Sequence, residues 1–169
     1  GLVNHERGEY NKALDFYQKA LEIAEKIGDV MEVSKNYNQM ATVYQARGDY
    51  DRALDYSCKA LQIAERIGDV AAVSMSYRQI GIVHQEKGDY DTALDFYRKA
   101  LEIAERVGDI VGISKSYHQM GIVYQNRGDY DRALEFYQKA LEIAKKVGDI
   151  VGVAGTVGMI GKVMHMKKN

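Results

Sequence analysis

Glycine recurs in this chain every 40 residues without a gap, and that spacing constrains the fold more than any single motif does. Gly8, Gly48, Gly88 and Gly128 stand in register, each followed by an acid and a tyrosine: Glu9-Tyr10, Asp49-Tyr50, Asp89-Tyr90 and Asp129-Tyr130. A second set, Gly28, Gly68, Gly108 and Gly148, is followed each time by Asp and then Val or Ile. A fixed period of this size marks stacked units that share one continuous core. Each glycine-acid pair reads as helix punctuation, the glycine closing one helix in the left-handed conformation and the carboxylate accepting backbone N–H groups at the start of the next. Two pairs per period predict two helices per unit, and the sequence has no proline to interrupt them.

Between these marks the apolar residues follow a helical period. Ala53, Leu54, Ala60, Leu61, Ala64 and Ile67 form one stripe of a helix predicted over 51–67, paired helices are predicted over 70–87 and 91–107, and the same residue types return in every copy. On the opposite side Asp15/Lys19, Asp55/Lys59, Asp95/Lys99 and Glu135/Lys139 make acid-before-base pairs four residues apart, the pattern of a solvated face. No helix pair covers its own apolar stripe, so neighbours must stack on it. The expected fold is all-α, a right-handed α-α superhelical solenoid of tandem antiparallel helix pairs. A single array is expected, with a partial repeat over 1–29, units over 30–69, 70–109 and 110–149, and a terminal helix over 150–169. In the partial repeat a short stub is expected before a helix over 10–27. The units over 70–109 and 110–149 agree at about 25 of 40 positions, as expected of a duplicated whole unit.

Composition narrows the function classes. Twenty-three basic residues against 24 acidic ones give a net charge of -1, which argues against nucleic acid or an anionic membrane as partner. The most apolar run, 150–160, is closed off by Lys162 well short of the roughly 20 residues a spanning helix needs. The single cysteine, Cys58, excludes an intrachain disulfide and fits a reducing cytoplasm. No enzyme is expected. His5, His84, His118 and His165 share no metal-helix spacing, and His84 stands where sister copies carry Tyr44 and Tyr124. Cys58 replaces the outward-facing Gln18, Arg98 and Gln138, and the glycines form no phosphate loop. Catalytic residues, metal sites and cofactors are therefore all expected to be absent.

The run Tyr117-His118-Gln119-Met120-Gly121-Ile122-Val123-Tyr124, followed by Gly128-Asp129-Tyr130, Ala133-Leu134, Tyr137 and Ala140-Leu141, resembles the tetratricopeptide repeat, and the likeness extends over essentially the whole chain. Tyr37, Met40, Ala41 and Tyr44 supply the large-apolar-small-aromatic set of the first helix in another copy, and Ala53, Tyr56 and Ala60 supply the small-aromatic-small set of the second. Six residues more than the common form lengthen the second helix. That longer variety is similar to the repeats of kinesin light chains, of spindle-orienting G-protein regulators, and of bacterial and archaeal signalling and transcription proteins.

The resemblance implies a scaffold that binds a peptide or helix of a protein partner, with the first helix of each unit lining a concave groove. Its non-core positions are then the candidate site: Lys35, Met75 and Lys115; Asn38, Arg78 and His118; Thr42, Ile82 and Ile122; Gln45, Gln85 and Gln125; and, more variable, Ala46, Glu86 and Asn126. Lys35, Arg78, Lys115 and Lys162 give the groove an expected positive bias, suited to a partner carrying carboxylates. Thr42, Ile82 and Ile122 occupy the places of the asparagines in the subtype that grips a chain-terminal carboxylate, which argues against that subtype. Gln39, Gln79 and Gln119 beside the core are expected to be structural. Two other roles fit the same residues, a regulatory or sensor arm of a larger signalling protein and an element that assembles end to end.

The segment over 150–166 is almost uncharged and carries Gly152, Gly155, Gly158 and Gly161 with Met159 and Met166. A capping helix should turn a polar face outward, so this end is expected to pack on another helix, that of a next repeat or of a second chain, the latter giving a homodimer through exposed repeat ends.

Overall fold

The computed structural model describes residues 2–168, with side chains over 9–168. All the regular structure among the described residues is helical. In chain order the helices are α1 (Leu2–Ile27), α2 (Val30–Ala46), α3 (Tyr50–Ile67), α4 (Val70–Glu86), α5 (Tyr90–Val107), α6 (Ile110–Asn126), α7 (Tyr130–Val147) and α8 (Ile150–Lys168). The even-numbered helices are the first of each pair and the odd-numbered ones the second. Two compact units divide the chain between Val83 and His84, near the end of α4.

The punctuation expected from the glycine clock is present at seven of its eight positions. Gly28, Gly48, Gly68, Gly88, Gly108, Gly128 and Gly148 all have φ between 71° and 81°, where an L side chain is strained. At the helix starts the aspartates accept backbone N–H bonds three residues on: Asp29 from Glu32 at 3.0 Å, Asp109 from Gly112 at 2.9 Å and Asp149 from Gly152 at 2.9 Å.

The exception is Gly8. No turn forms there, and α1 runs unbroken from Leu2 to Ile27 instead of starting near Tyr10. Its follower is Glu9, whereas Asp follows the other glycines, and glutamate is not among the residues favoured at an N-cap.

Within each unit the helices meet through alanines and aromatic rings. Ala53, Ala60 and Ala64 of α3 and Ala133, Ala140 and Ala144 of α7 are fully buried, so the backbones approach closely. Ser34 and Ser114 then donate across the helix pair to the carbonyls of Ala60 and Ala140, at 3.2 and 3.0 Å. The aromatic of the second helix lies against the aromatics of the first. Tyr56 stacks on Tyr44 with ring centres 5.3 Å apart, and Phe136 stacks on Tyr124 at the same distance. His84 takes the tyrosine's role with Phe96, its ring stacked at 5.7 Å and its Nδ1 3.2 Å from Asp89.

Candidate protein-binding pocket

In the first unit, α1, α2 and α4 enclose a pocket of about 620 Å³. Its apolar wall comes from Phe16, Met31, Ile67 and Met75, all of them exposed. Polar groups stand among them: Glu32, Lys35, Asn36, Asn38, Gln39 and Asp69. Three of the expected groove residues, Lys35, Asn38 and Met75, thus converge on one cavity. Their spacing along α2 (35 and 38) and the 40-residue step from Lys35 to Met75 place them on neighbouring first helices facing one space.

Of the four cations expected to bias the groove, this pocket holds Lys35 alone. Lys35 is paired with Glu32 at 3.2 Å, and Asp69 lines the same wall, so the one cation is matched by two carboxylates. Apolar surface, not a positive field, is what this pocket offers.

Other expected groove positions are taken up by packing. Tyr97 and Tyr137 are fully buried, and their hydroxyls donate to Gln85 Oε1 and Gln125 Oε1, both at 2.9 Å. Burial holds both phenols well above their usual pKa, so they stay protonated donors. Gln125 is 7% exposed, which makes it an internal acceptor and not an open groove residue. Gln45 has a serine, Ser57, where those tyrosines stand, and accepts instead from Gln79 at 2.6 Å.

His118 lies with its ring 5.4 Å from that of Tyr137 and its Nδ1 3.0 Å from the buried Thr156 hydroxyl. Burial lowers its pKa, favouring the neutral ring. Thr42 donates to the Asn38 carbonyl one turn back, at 3.0 Å. Arg78, Ile82 and Ile122 are half-buried, while Lys115 is exposed.

Among the lining residues that sequence reasoning missed are Phe16, Tyr17, Ala20, Met31 and Ala71. Met31 was findable: its register partners Ala71, Val111 and Val151 vary in size one turn before Lys35. Phe16 was not findable from its own copy, because Tyr56, Phe96 and Phe136 at the same register are half-buried against a preceding helix.

Cys58 is exposed; partial covering of its sulfur, and then Asp55, push the thiol pKa up, away from the reactive thiolate. Among the described residues, no group of three or more His, Cys, Asp or Glu is placed to hold a metal, and no helix is long and apolar enough to cross a membrane.

Antiparallel helix pairs repeated in tandem, joined by glycine-capped turns and presenting first helices to a shared pocket, define a helical-repeat protein of the solenoid class. The chain belongs to the tetratricopeptide repeat family, whose models match residues 1–66, 32–106 and 114–146. Solved structures share the fold. BtubC (BKLC) from P. vanneervenii matches with a TM-score of 0.71 and 19% identity over 99% of this chain and 78% of its own. A Rap protein complexed with Competence and Sporulation Factor gives 0.84 and 20% identity over 99% of this chain and 47% of its own. The Rap conjugation gene regulator of plasmid pLS20, in complex with a Phr peptide, gives 0.77 and 23% identity over 95% and 44%. The chain therefore spans under half the length of these two Rap structures. No curated protein sequence matches it.

Proposed function

We propose that the chain is a protein-interaction module that receives an apolar segment of a partner in the pocket between α1, α2 and α4, and carries no chemistry of its own. The observation that carries this reading is the convergence of Lys35, Asn38 and Met75 with Met31 and Phe16 on one cavity of about 620 Å³, a size that takes a few side chains of a peptide. Family membership supports a binding role, and the two Rap structures, each solved with a peptide or factor bound, support a peptide as ligand. Recognition rests on apolar anchors, since Lys35 is already neutralised by Glu32. Methionines on the wall suit side chains of varied shape, because their unbranched thioethers repack easily. A cytoplasmic setting fits the single unpaired cysteine.

The test is fluorescence anisotropy with short fluorescein-labelled peptides that present Leu, Met or Phe in a neutral background, against the wild-type chain and Met75→Glu. Met75→Glu should weaken binding about tenfold or more by placing a carboxylate on the apolar wall, while Ile150→Glu, on α8, leaves it unchanged. Equal binding by wild type and Met75→Glu, or no binding of any such peptide by wild type, refutes the reading.

A further inference from the structure

The repeat register compares each helix face with its own copies, and two faces stand out. In α6 the face turned toward α7 consists of Ser114, Tyr117, His118, Gly121, Tyr124 and Gln125, every one buried or half-buried. One repeat later, on α8, the same positions are Ala154, Val157, Gly158, Gly161, Met164 and His165, and every one is exposed. Val157 and Met164 are each 51% exposed. A first-type helix with an apolar face built for a second-type helix thus has none packed on it among the described residues.

The complementary face lies on α1. In α7, Phe136 sits between Tyr117 and Tyr124, with ring centres at 6.1 and 5.3 Å, and Tyr137 lies so close over Gly121 that an added Cβ would fall 2.6 Å from its ring. The α1 counterparts are Phe16 and Tyr17. Phe16 is 68% exposed, the half-buried Tyr17 contrasts with the fully buried Tyr137, and Ala13 and Ala20 are half-open where Ala133 and Ala140 are sealed. Further along the same side of α1, Leu21 and Ala24 are buried.

We propose that α8 of one copy docks on α1 of a second copy as α6 docks on α7, joining chains head to tail. In that register Phe16 enters between Val157 and Met164 of the neighbouring copy, and the Tyr17 ring lies over its Gly161. Gly161 is the key to the fit. In the single chain an added Cβ there meets nothing within 4 Å, so the glycine answers no internal need and costs helix stability of about 1 kcal/mol relative to Ala. Over a tyrosine ring it becomes necessary, as Gly121 is beneath Tyr137.

Gly158 also lies on this face. Gly152 does not: its Cβ position falls 2.3 Å from the Asp149 carboxylate, so it belongs to the start of its own helix. Gly155, Met159 and Met166, expected at this end from the glycine and methionine pattern, fall outside the six positions of the proposed face. Because the two faces differ, the contact is heterologous, and each added copy leaves one of each face open. The seat on α1 includes Phe16, Tyr17 and Ala20 of the pocket described above, so head-to-tail docking and pocket ligands compete.

Sedimentation velocity on the full chain tests this, using Phe16→Asp and Gly161→Leu. Neither change disturbs the single chain, since Phe16 is exposed and Gly161 faces open space, and far-UV circular dichroism verifies this. Wild type should grow past dimer as concentration rises. Each variant alone should associate at least about tenfold more weakly. An equimolar mixture should stop at a heterodimer, because Phe16→Asp keeps its α8 face and Gly161→Leu keeps its α1 face. A wild type that stays monomeric through high micromolar concentration, variants that associate as wild type does, or a mixture that gives no heterodimer would each overturn the proposal.

Discussion

The same inter-helix locus is built in two ways in the two units. In the second unit His118, Tyr137 and Thr156 fill it, with ring on ring and a hydroxyl on the imidazole. Two repeats earlier in register, in the first unit, Asn38, Ser57 and Ser76 hold those positions. The Asn38 Oδ1, Ser57 Oγ and Ser76 Oγ atoms are buried there without a hydrogen-bond partner among the described residues. The residue opposite changes in step: Gly121 lies beneath Tyr137, whereas Ala41 is the register partner facing Ser57. A repeat scaffold therefore does not distribute its packing evenly. Where ring and glycine interlock, the locus is closed and structural, and where both are replaced by small residues it carries unmet polar groups beside the open pocket that Asn38 also lines.

The sharpest way to break this contrast is to install the first unit's solution in the second. Tyr137→Ser removes a fully buried ring and the hydrogen bond to Gln125, and should destabilise the second unit by about 3–5 kcal/mol in urea unfolding. Gly121→Ala alone should cost about 1–3 kcal/mol, because its Cβ meets the ring at 2.6 Å. Combined, the two changes should cost clearly less than their sum, since Ala fits once the ring is gone; strict additivity would show that glycine and tyrosine are not coupled. Smaller effects separate the hydroxyls. Thr156→Val breaks the bond to His118 and should cost about 1 kcal/mol, while Ser76→Ala removes an unpartnered buried hydroxyl and should be neutral or stabilising on the same scale.

How far the sequence reaches follows from what repetition encodes. Gly48-Asp49 and Gly68-Asp69 specify their turns locally, through a left-handed residue and a cap, so the helix boundaries are legible to within a residue or two. Gly8 repeats the glycine but is followed by Glu9 in place of aspartate, and the turn does not form, so a glycine at this register is not sufficient by itself. The site is less legible because it depends on what each face meets. Gln125 reads as a variable-face residue from its position on α6, yet Tyr137, on another helix, turns it inward. Phe16 reads as core from its copies, yet none of the described helices covers it. Laying α8 on α6 in register points to Val157, Gly161 and Met164 for the proposed docking face, whereas counting glycines and methionines points to Gly152 and Met159.

The smallest effect sharpens the comparison by pH. Burial disfavours the charged imidazole of His118, so its pKa in the folded chain lies below the ordinary value near 6.5. Between those two values the unfolded chain binds the proton and the folded chain does not, so stability rises with pH across that window. The contribution is fully present above about pH 6.5 and is lost as pH falls toward the folded pKa. Asn38 holds the same register in the first unit and does not titrate. Urea unfolding from pH 7 to pH 5 should therefore show the second unit losing stability in the wild type, and His118→Asn should flatten that slope without touching the first unit. An unchanged slope would mean that the imidazole gains its proton without leaving its place, and that the closed locus tolerates charge as readily as the open one tolerates unmet hydroxyls.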